Sequence, residues 1–218
     1  ATTFRHSAGL LLVALTGAAL LAILLGTVLA LTKHKVGATL MLFFSILGVS
    51  TPSFLLAMLL WVVNIQMHRR FDVTALPSAG FGWDAHLIMP ALVLAARPLA
   101  QITQVTYVTL SEVLEKDYIR TARAKGLKEH LVYLRHAMRN ALIPVVTILG
   151  PMFAGVLTGL FVVEQVFGIP GLGKYFITSI TNRDYPVIMG TILLYAFFLV
   201  ISNVVVDITY AWLDPRIR

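Results

Sequence analysis

Apolar runs long enough to cross a bilayer recur along this chain, and they constrain its fold more than any other feature. Residues 7–31, 38–67, 85–110, 140–163 and 187–213 each suit a helical crossing with some tilt, which takes about 20 residues. Backbone amides and carbonyls in hydrocarbon must bond one another. No alternating ten-residue strand pattern is present, so the runs read as helices rather than barrel strands. The expected fold class is all-α, a polytopic transmembrane helical protein with about five spans. Composition agrees, with 58% hydrophobic and 12% charged residues against about a quarter charged in soluble domains.

Charge placement orients the spans. Lys33, Lys35, the seven cations from Lys116 to Arg139, Arg216 and Arg218 fall on one side, eleven in all. Arg5, Arg69, Arg70, Lys174 and Arg183 fall on the other, and Arg97 lies inside the third run. Cytoplasmic loops carry the excess of Lys and Arg, so residues 111–139 and the C-terminus are expected in the cytoplasm, with His68-Arg69-Arg70 running against the trend. The net charge of +7 is then a topology signal, and no nucleic-acid partner is expected. With no cysteine, disulfides and thiolate chemistry are excluded. The six histidines have no metal-ligand spacing and no HExxH run occurs, so neither a metal site nor an intramembrane hydrolase is expected. The chain opens at Ala1 and enters an apolar run within a few residues, which suggests a missing upstream segment rather than a signal peptide.

Residues 111–143 are helical in pattern yet too charged for the bilayer. Leu114, Tyr118 and Ala122 repeat every four residues, and Leu127, Leu131, Leu134 and Met138 form a second such face. The expectation is two short amphipathic helices. Gly126 separates them, and glycine accepts the left-handed conformation of a helix end without steric cost. Composition alone leaves open a helix pair lying on anionic lipid, a docking helix for a cytoplasmic partner, and a helix-turn-helix reader of DNA. Glu112, Glu115, Asp117 and Glu129 interrupt the basic face that the DNA reader needs.

The run Asp117-Tyr118-Ile119-Arg120-Thr121-Ala122-Arg123-Ala124-Lys125-Gly126-Leu127, followed by Arg135-His136-Ala137-Met138-Arg139-Asn140-Ala141-Leu142-Ile143-Pro144, resembles the cytoplasmic loop of dipeptide and oligopeptide permeases. Those are membrane subunits of ATP-binding-cassette importers. The resemblance continues through Ser50-Thr51-Pro52-Ser53-Phe54, Leu76-Pro77-Ser78-Ala79-Gly80, Glu164-Gln165-Val166-Phe167-Gly168-Ile169-Pro170-Gly171-Leu172-Gly173, Arg183-Asp184-Tyr185-Pro186 and Asp214-Pro215-Arg216-Ile217-Arg218. Where the broader importer signature begins Glu-Ala-Ala, this chain has Arg120, Thr121 and Ala122, which narrows the likeness to the peptide and nickel branch.

That resemblance implies a single permease domain over 1–218, lacking an N-terminal helix, with a cytoplasmic coupling segment at 111–139. Residues 118–127 would sit in a groove of an ATPase subunit, with the small residues Ala122, Ala124 and Gly126 allowing close approach and Arg120, Arg123 and Lys125 meeting acidic groups at its rim. The implied partners are a homologous second permease subunit, two ATPase subunits, an extracytoplasmic solute-binding protein and the lipid bilayer. The implied location is a bacterial or archaeal cytoplasmic (inner) membrane. ATP and Mg would belong to the ATPase subunits, with no cofactor on this chain and no catalysis of its own. Peptides lead as solutes, with nickel chelates, glutathione and plant-derived sugars carried by related branches.

Other polar groups refine the expectation. Arg97, Gln101 and Gln104 share one helical face of the third run, and a cation at that depth points to a pathway wall that a peptide carboxylate would meet, or to a structural role, paired with another helix or snorkelling beside the Pro98 kink. Pro52, Pro98 and Pro144 are expected to shape helix kinks. Asp207, one turn after Asn203, is the carboxylate that an ion-gradient-driven secondary transporter would use, the alternative reading; an anchoring role beside Tyr210 is the structural one. The stretch 168–174 only faintly resembles a phosphate-binding loop, because Pro170 and Tyr175 spoil the pattern. The Gly- and Pro-rich segment 164–186 is too irregular to span and reads as a re-entrant or surface element, a point of contact for a binding protein or a plain connector.

Overall fold

The structure is a computed structural model and describes residues 2–32, 35–71 and 76–213, apart from the side chains of 35, 207 and 210–213. The described residues are helical with no strand. In chain order they form α1 (Thr2–Thr32), α2 (Lys35–Ser50), α3 (Ser53–Phe71), α4 (Ile88–Leu114), α5 (Asp117–Ala124), α6 (Glu129–Leu131), α7 (Met138–Val166), α8 (Leu172–Thr181) and α9 (Tyr185–Leu213). A 3-10 turn, Ala85–Leu87, leads into α4, and a π-helical segment, Val132–Ala137, joins α6 to α7.

Four helices are each long and apolar enough to cross a membrane, and a fifth crossing is available if α2 and α3 are counted together. The expected run at 38–67 is therefore not straight. The Thr51 amide still reaches the Leu47 carbonyl, but Pro52 has no amide to extend the ladder. α3 restarts at Ser53 with its axis turned by 109°.

α1 and α4 form the spine of the bundle. Small residues recur at every fourth position of α1, at Ala14, Ala18, Ala22, Gly26 and Ala30, and all are buried. Such stripes let helix backbones approach closely where hydrocarbon supplies no hydrophobic drive. A Cβ on Gly26 would lie 2.7 Å from Thr106 Cβ and 2.8 Å from the Thr103 carbonyl oxygen.

The core is stacked in three tiers along this spine. Leu10, Leu11 and Ala14 meet Met89, Val93, Leu160 and Phe167 at one end. Ala22, Ile102, Val145 and Met152 fill the middle. Ala30, Leu110, Ile119, Ala122, Val132, Ala137 and Ala141 close the other end, so α5 is part of the packed body.

At the first end, the loop before α4 is tied down. Asn64 and Leu76 exchange two hydrogen bonds of 2.9 and 3.0 Å, and the Gly80 amide donates to the Phe167 carbonyl at 2.8 Å. His6 stacks on Phe81, which meets Trp83 edge-on.

Candidate functional site

The break between α2 and α3, the middle of α4 and the middle of α7 enclose a cavity of about 1150 Å³. The sequence pattern placed Arg97, Gln101 and Gln104 on one face of a helix. All three line this cavity, and Arg97 is its single charged lining residue. Ser50, Thr51 and Ser53 come from the break, and Thr147 and Thr158 from α7. The α7 hydroxyls are already committed, Thr147 to the Ile143 carbonyl at 3.0 Å and Thr158 to Ala154 at 3.1 Å.

No described residue hydrogen-bonds or ion-pairs with the side chains of Arg97, Gln101 or Gln104. No pair between Arg97 and another helix of this chain occurs among the described residues, and Arg97 is exposed. Prolines add acceptors to the same wall. Pro98 and Pro151 each remove the amide that would bond the carbonyl four residues earlier, on Leu94 and Thr147, and all four residues border the cavity.

The second candidate region is α5. Its C-terminus closes as a Schellman motif, with the Gly126 amide donating to Arg123 O at 2.9 Å and the Leu127 amide to Ala122 O at 3.4 Å. Gly126 sits at φ +76, as the sequence led us to expect. Beyond the turn, Arg123 Nε bonds Glu129 Oε1 at 3.1 Å, and Asn140 of α7 donates to the Tyr118 hydroxyl at 2.9 Å.

The faces of this segment differ from those expected. Ile119 and Ala122 are fully or nearly buried, whereas Tyr118 is exposed. The reason is that α4 ends at Leu114 and the chain turns through 115–116 before α5 begins, so the phase set by Leu114 is not carried across. Leu127, Leu131 and Leu134 are exposed too, Leu134 by 70%. In their place Val132, Ala137 and Ala141 are buried, a spacing of five and then four, because the π-helical turn inserts one extra residue and rotates the face.

Of the expected docking residues, Ala122 thus faces its own chain, and Arg123 is engaged by Glu129. Arg120 lies 3.5 Å from Asp117 in an exposed pair. Thr121, Ala124, Lys125, Gly126 and Leu127 lie outward.

Residues 22–218, which include both the cavity and α5, match the family described as binding-protein-dependent transport system inner membrane component. The chain belongs to that family. It is 43% identical over 199 residues to the dipeptide transport system permease protein of Bacillus subtilis, covering 90% of this chain and 62% of the relative. It is 38% identical over 220 residues to the oligopeptide transport system permease protein of Haemophilus influenzae, covering 100% of this chain and 70% of that one. The glutathione transport system permease protein of Pectobacterium atrosepticum is 42% identical over 84% of this chain and 57% of its own length. The chain therefore spans less than two thirds of the Bacillus and Pectobacterium relatives.

One polar centre of this inner membrane component was not legible beforehand. Glu164, fully buried near the end of α7, accepts from the Ser7 hydroxyl of α1 and, through Oε2, from the Gly173 amide of α8 at 2.7 Å. Ser7 Oγ in turn accepts from the Leu172 amide at 2.8 Å. The carboxylate thereby satisfies the N-terminus of α8, where a helix favours negative charge. This is also why the glycine-rich run at 168–174 cannot cradle a phosphate: its helix N-terminus is already filled by the chain's own carboxylate. The segment expected to be re-entrant or superficial forms α8, clasped by α7, α9 and α1.

The alternative site around Asp207 is only partly described. The side chains of Asp207 and Tyr210, and residues 214–218, lie outside the described residues. Asn203 packs on α7, its Oδ1 standing 2.9 Å from where a Cβ on Gly150 would be.

Proposed function

We propose that this chain is the membrane-spanning permease subunit of an ATP-binding-cassette importer that translocates small peptides or related solutes by alternating access. Membership of a binding-protein-dependent transport family, with relatives named for dipeptides, oligopeptides and glutathione along nearly the whole chain, carries this reading. The remaining partners follow from the reading: a second, homologous permease subunit beside this one in the bacterial inner membrane, two ATPase subunits that hold ATP and Mg, and an extracytoplasmic binding protein.

In this reading the cavity wall of Arg97, Gln101 and Gln104 belongs to the translocation pathway. α5 and its turn, residues 118–127, form the coupling element for an ATPase subunit. The packing of Ile119 and Ala122 into the third core tier gives that element its mechanical value. A push on the outward face of α5 passes through the π-helical segment and the shared third tier to α4 and α7, which carry the cavity. The π-helical segment between α6 and α7 lies on that route, and π-turns inside helices are frequent at functional sites. Closure of the ATPase pair would then move α5 and shift the bundle between two arrangements, and the solute follows the open side.

Affinity purification of the full-length tagged protein from its native membrane tests this directly. ATPase subunits should co-purify with the wild type and be lost in an Ala124→Asp, Lys125→Glu double variant, whose changes lie on the outward face. A stable wild-type protein that carries no ATPase subunit, and whose solute uptake follows an ion gradient without ATP, would establish the secondary-transporter reading instead.

A further inference from the structure

We infer that the cavity recognises the main chain of its solute, with Arg97 receiving the terminal carboxylate and Gln101 and Gln104 serving the amide groups behind it. The inference rests on the importer reading and assigns the solute class to residues of this chain.

An arginine at membrane depth is costly unless an anion or a set of acceptors meets it. Arg97 is exposed on this chain where it borders the cavity; among the described residues it has no such partner, and no described acidic residue lines the cavity. A guanidinium matches a carboxylate in a planar, two-bond geometry, and such charge-assisted pairs are roughly twice as strong as neutral hydrogen bonds. Dipeptides, oligopeptides and glutathione, the solutes named for three relatives, all carry a free α-carboxylate.

The rest of the wall fits the same ligand. With about 1.5 Å of rise per residue, Gln101 and Gln104 stand roughly 6 and 10 Å along α4 from Arg97, the length of about three extended residues. Each carboxamide both donates and accepts, so it can bond a peptide group in either sense. Neither glutamine reads a side chain. The opposing α7 lining mixes the apolar Ile148, Val156 and Val162 with Thr147 and Thr158, so it offers varied side chains mostly non-specific contact. The Thr147 carbonyl of α7, freed by Pro151, offers an acceptor for the solute's ammonium group.

The absence of cysteine from this chain allows a direct test. Gly155 lines the cavity and has open space where a Cβ would go. A Gly155→Cys reporter in the assembled complex, in native membrane vesicles, is labelled with an anionic and with a cationic methanethiosulfonate, and each rate is divided by that for a free thiol. The mass shift of this chain is the readout. We expect the anionic reagent to react about tenfold faster, the lower end of the enrichment for a cleft lined by one sign of charge. Adding Arg97→Gln should bring the ratio near one, and Arg97→Lys should retain the preference.

In the reporter with Arg97 intact, millimolar dialanine should slow labelling, and dialanine amide should not. Equal protection by acid and amide, or an anionic preference that survives Arg97→Gln, overturns the assignment. The acid-amide comparison needs no Arg97 variant to fold. The labelling needs neither ATP nor an ATPase partner, so it fails independently of the importer reading.

Discussion

Ser7 in α1 and Glu164 in α7, 157 residues apart, are joined by a buried hydrogen bond that also anchors the first amides of α8. Three helices meet at one carboxylate, and the Ser7 hydroxyl and Gly173 amide have Glu164 as their acceptor. Glu164→Ala leaves the Ser7 hydroxyl and the Gly173 amide unpaired in a buried place, at a cost of about 1–3 kcal/mol each. The midpoint of thermal unfolding in detergent, followed by tryptophan fluorescence, should fall by several degrees, and by more than in Ser7→Ala. Gly171→Ala should behave like Glu164→Ala, since its Cβ would lie 2.2 Å from the Glu164 carboxyl carbon. An unchanged midpoint in all three would show that the clasp is not needed for stability.

Gly26 and Gly17 lie in the same helix and should respond oppositely to alanine. At Gly26 the added methyl collides with Thr106 and the Thr103 carbonyl and must push α1 away from α4, whereas Gly17 has nothing within 4 Å. Overpacking of this kind costs about 1–3 kcal/mol. Alanine at an open helical position gains about 0.5–1 kcal/mol over glycine. Thermal unfolding of the two single variants reads both signs.

Thr106 carries a buried hydroxyl with no hydrogen-bond partner among the described residues. Thr106→Val keeps the shape against Gly26 and removes the unsatisfied group. Stability should stay level or rise by about 1 kcal/mol, and a loss of that size would reveal a partner for the hydroxyl.

Gly126→Ala forces a side chain into the left-handed region at φ +76 and should cost about 1–2 kcal/mol. Gly126→Asn, which tolerates that conformation better, should cost less. Trypsin provides the readout, because Arg123, Lys125 and Lys128 flank the turn. Cleavage there should accelerate in the order wild type, Asn, Ala.

Ala122 and Ala124 separate folding from docking. Ala122→Asp buries a carboxylate between Leu110, Val132 and Ala137, which is expensive without a partner. It should expose the segment to protease. Ala124→Asp sits on the exposed face and should leave proteolysis unchanged while weakening association with the proposed ATPase subunit. Equal protease sensitivity in the two variants would contradict the assigned faces.

Much was written in the sequence at the level of hydrophobic segments and turn chemistry. The apolar runs gave the helical class because a backbone in hydrocarbon has no other outlet for its hydrogen bonds. The i, i+4, i+7 spacing of Arg97, Gln101 and Gln104 put them on one face, and Gly126 announced a left-handed helix end. The period-four stripe of small residues from Ala14 to Ala30 was equally local and marks the α1–α4 contact. These features depend only on residues close along the chain. Tertiary structure alone decided the rest. A proline at 52 signals a break, but the 109° turn arises from where α2 and α3 each pack. One extra residue in the π-helical turn moved the buried face from Leu131 and Leu134 to Val132 and Ala137, and local periodicity has no means to register such an insertion. The pairing of Ser7 with Glu164, and the cavity that Arg97 shares with residues from α3 and α7, join positions distant in sequence. Their energy exists only once those helices are side by side.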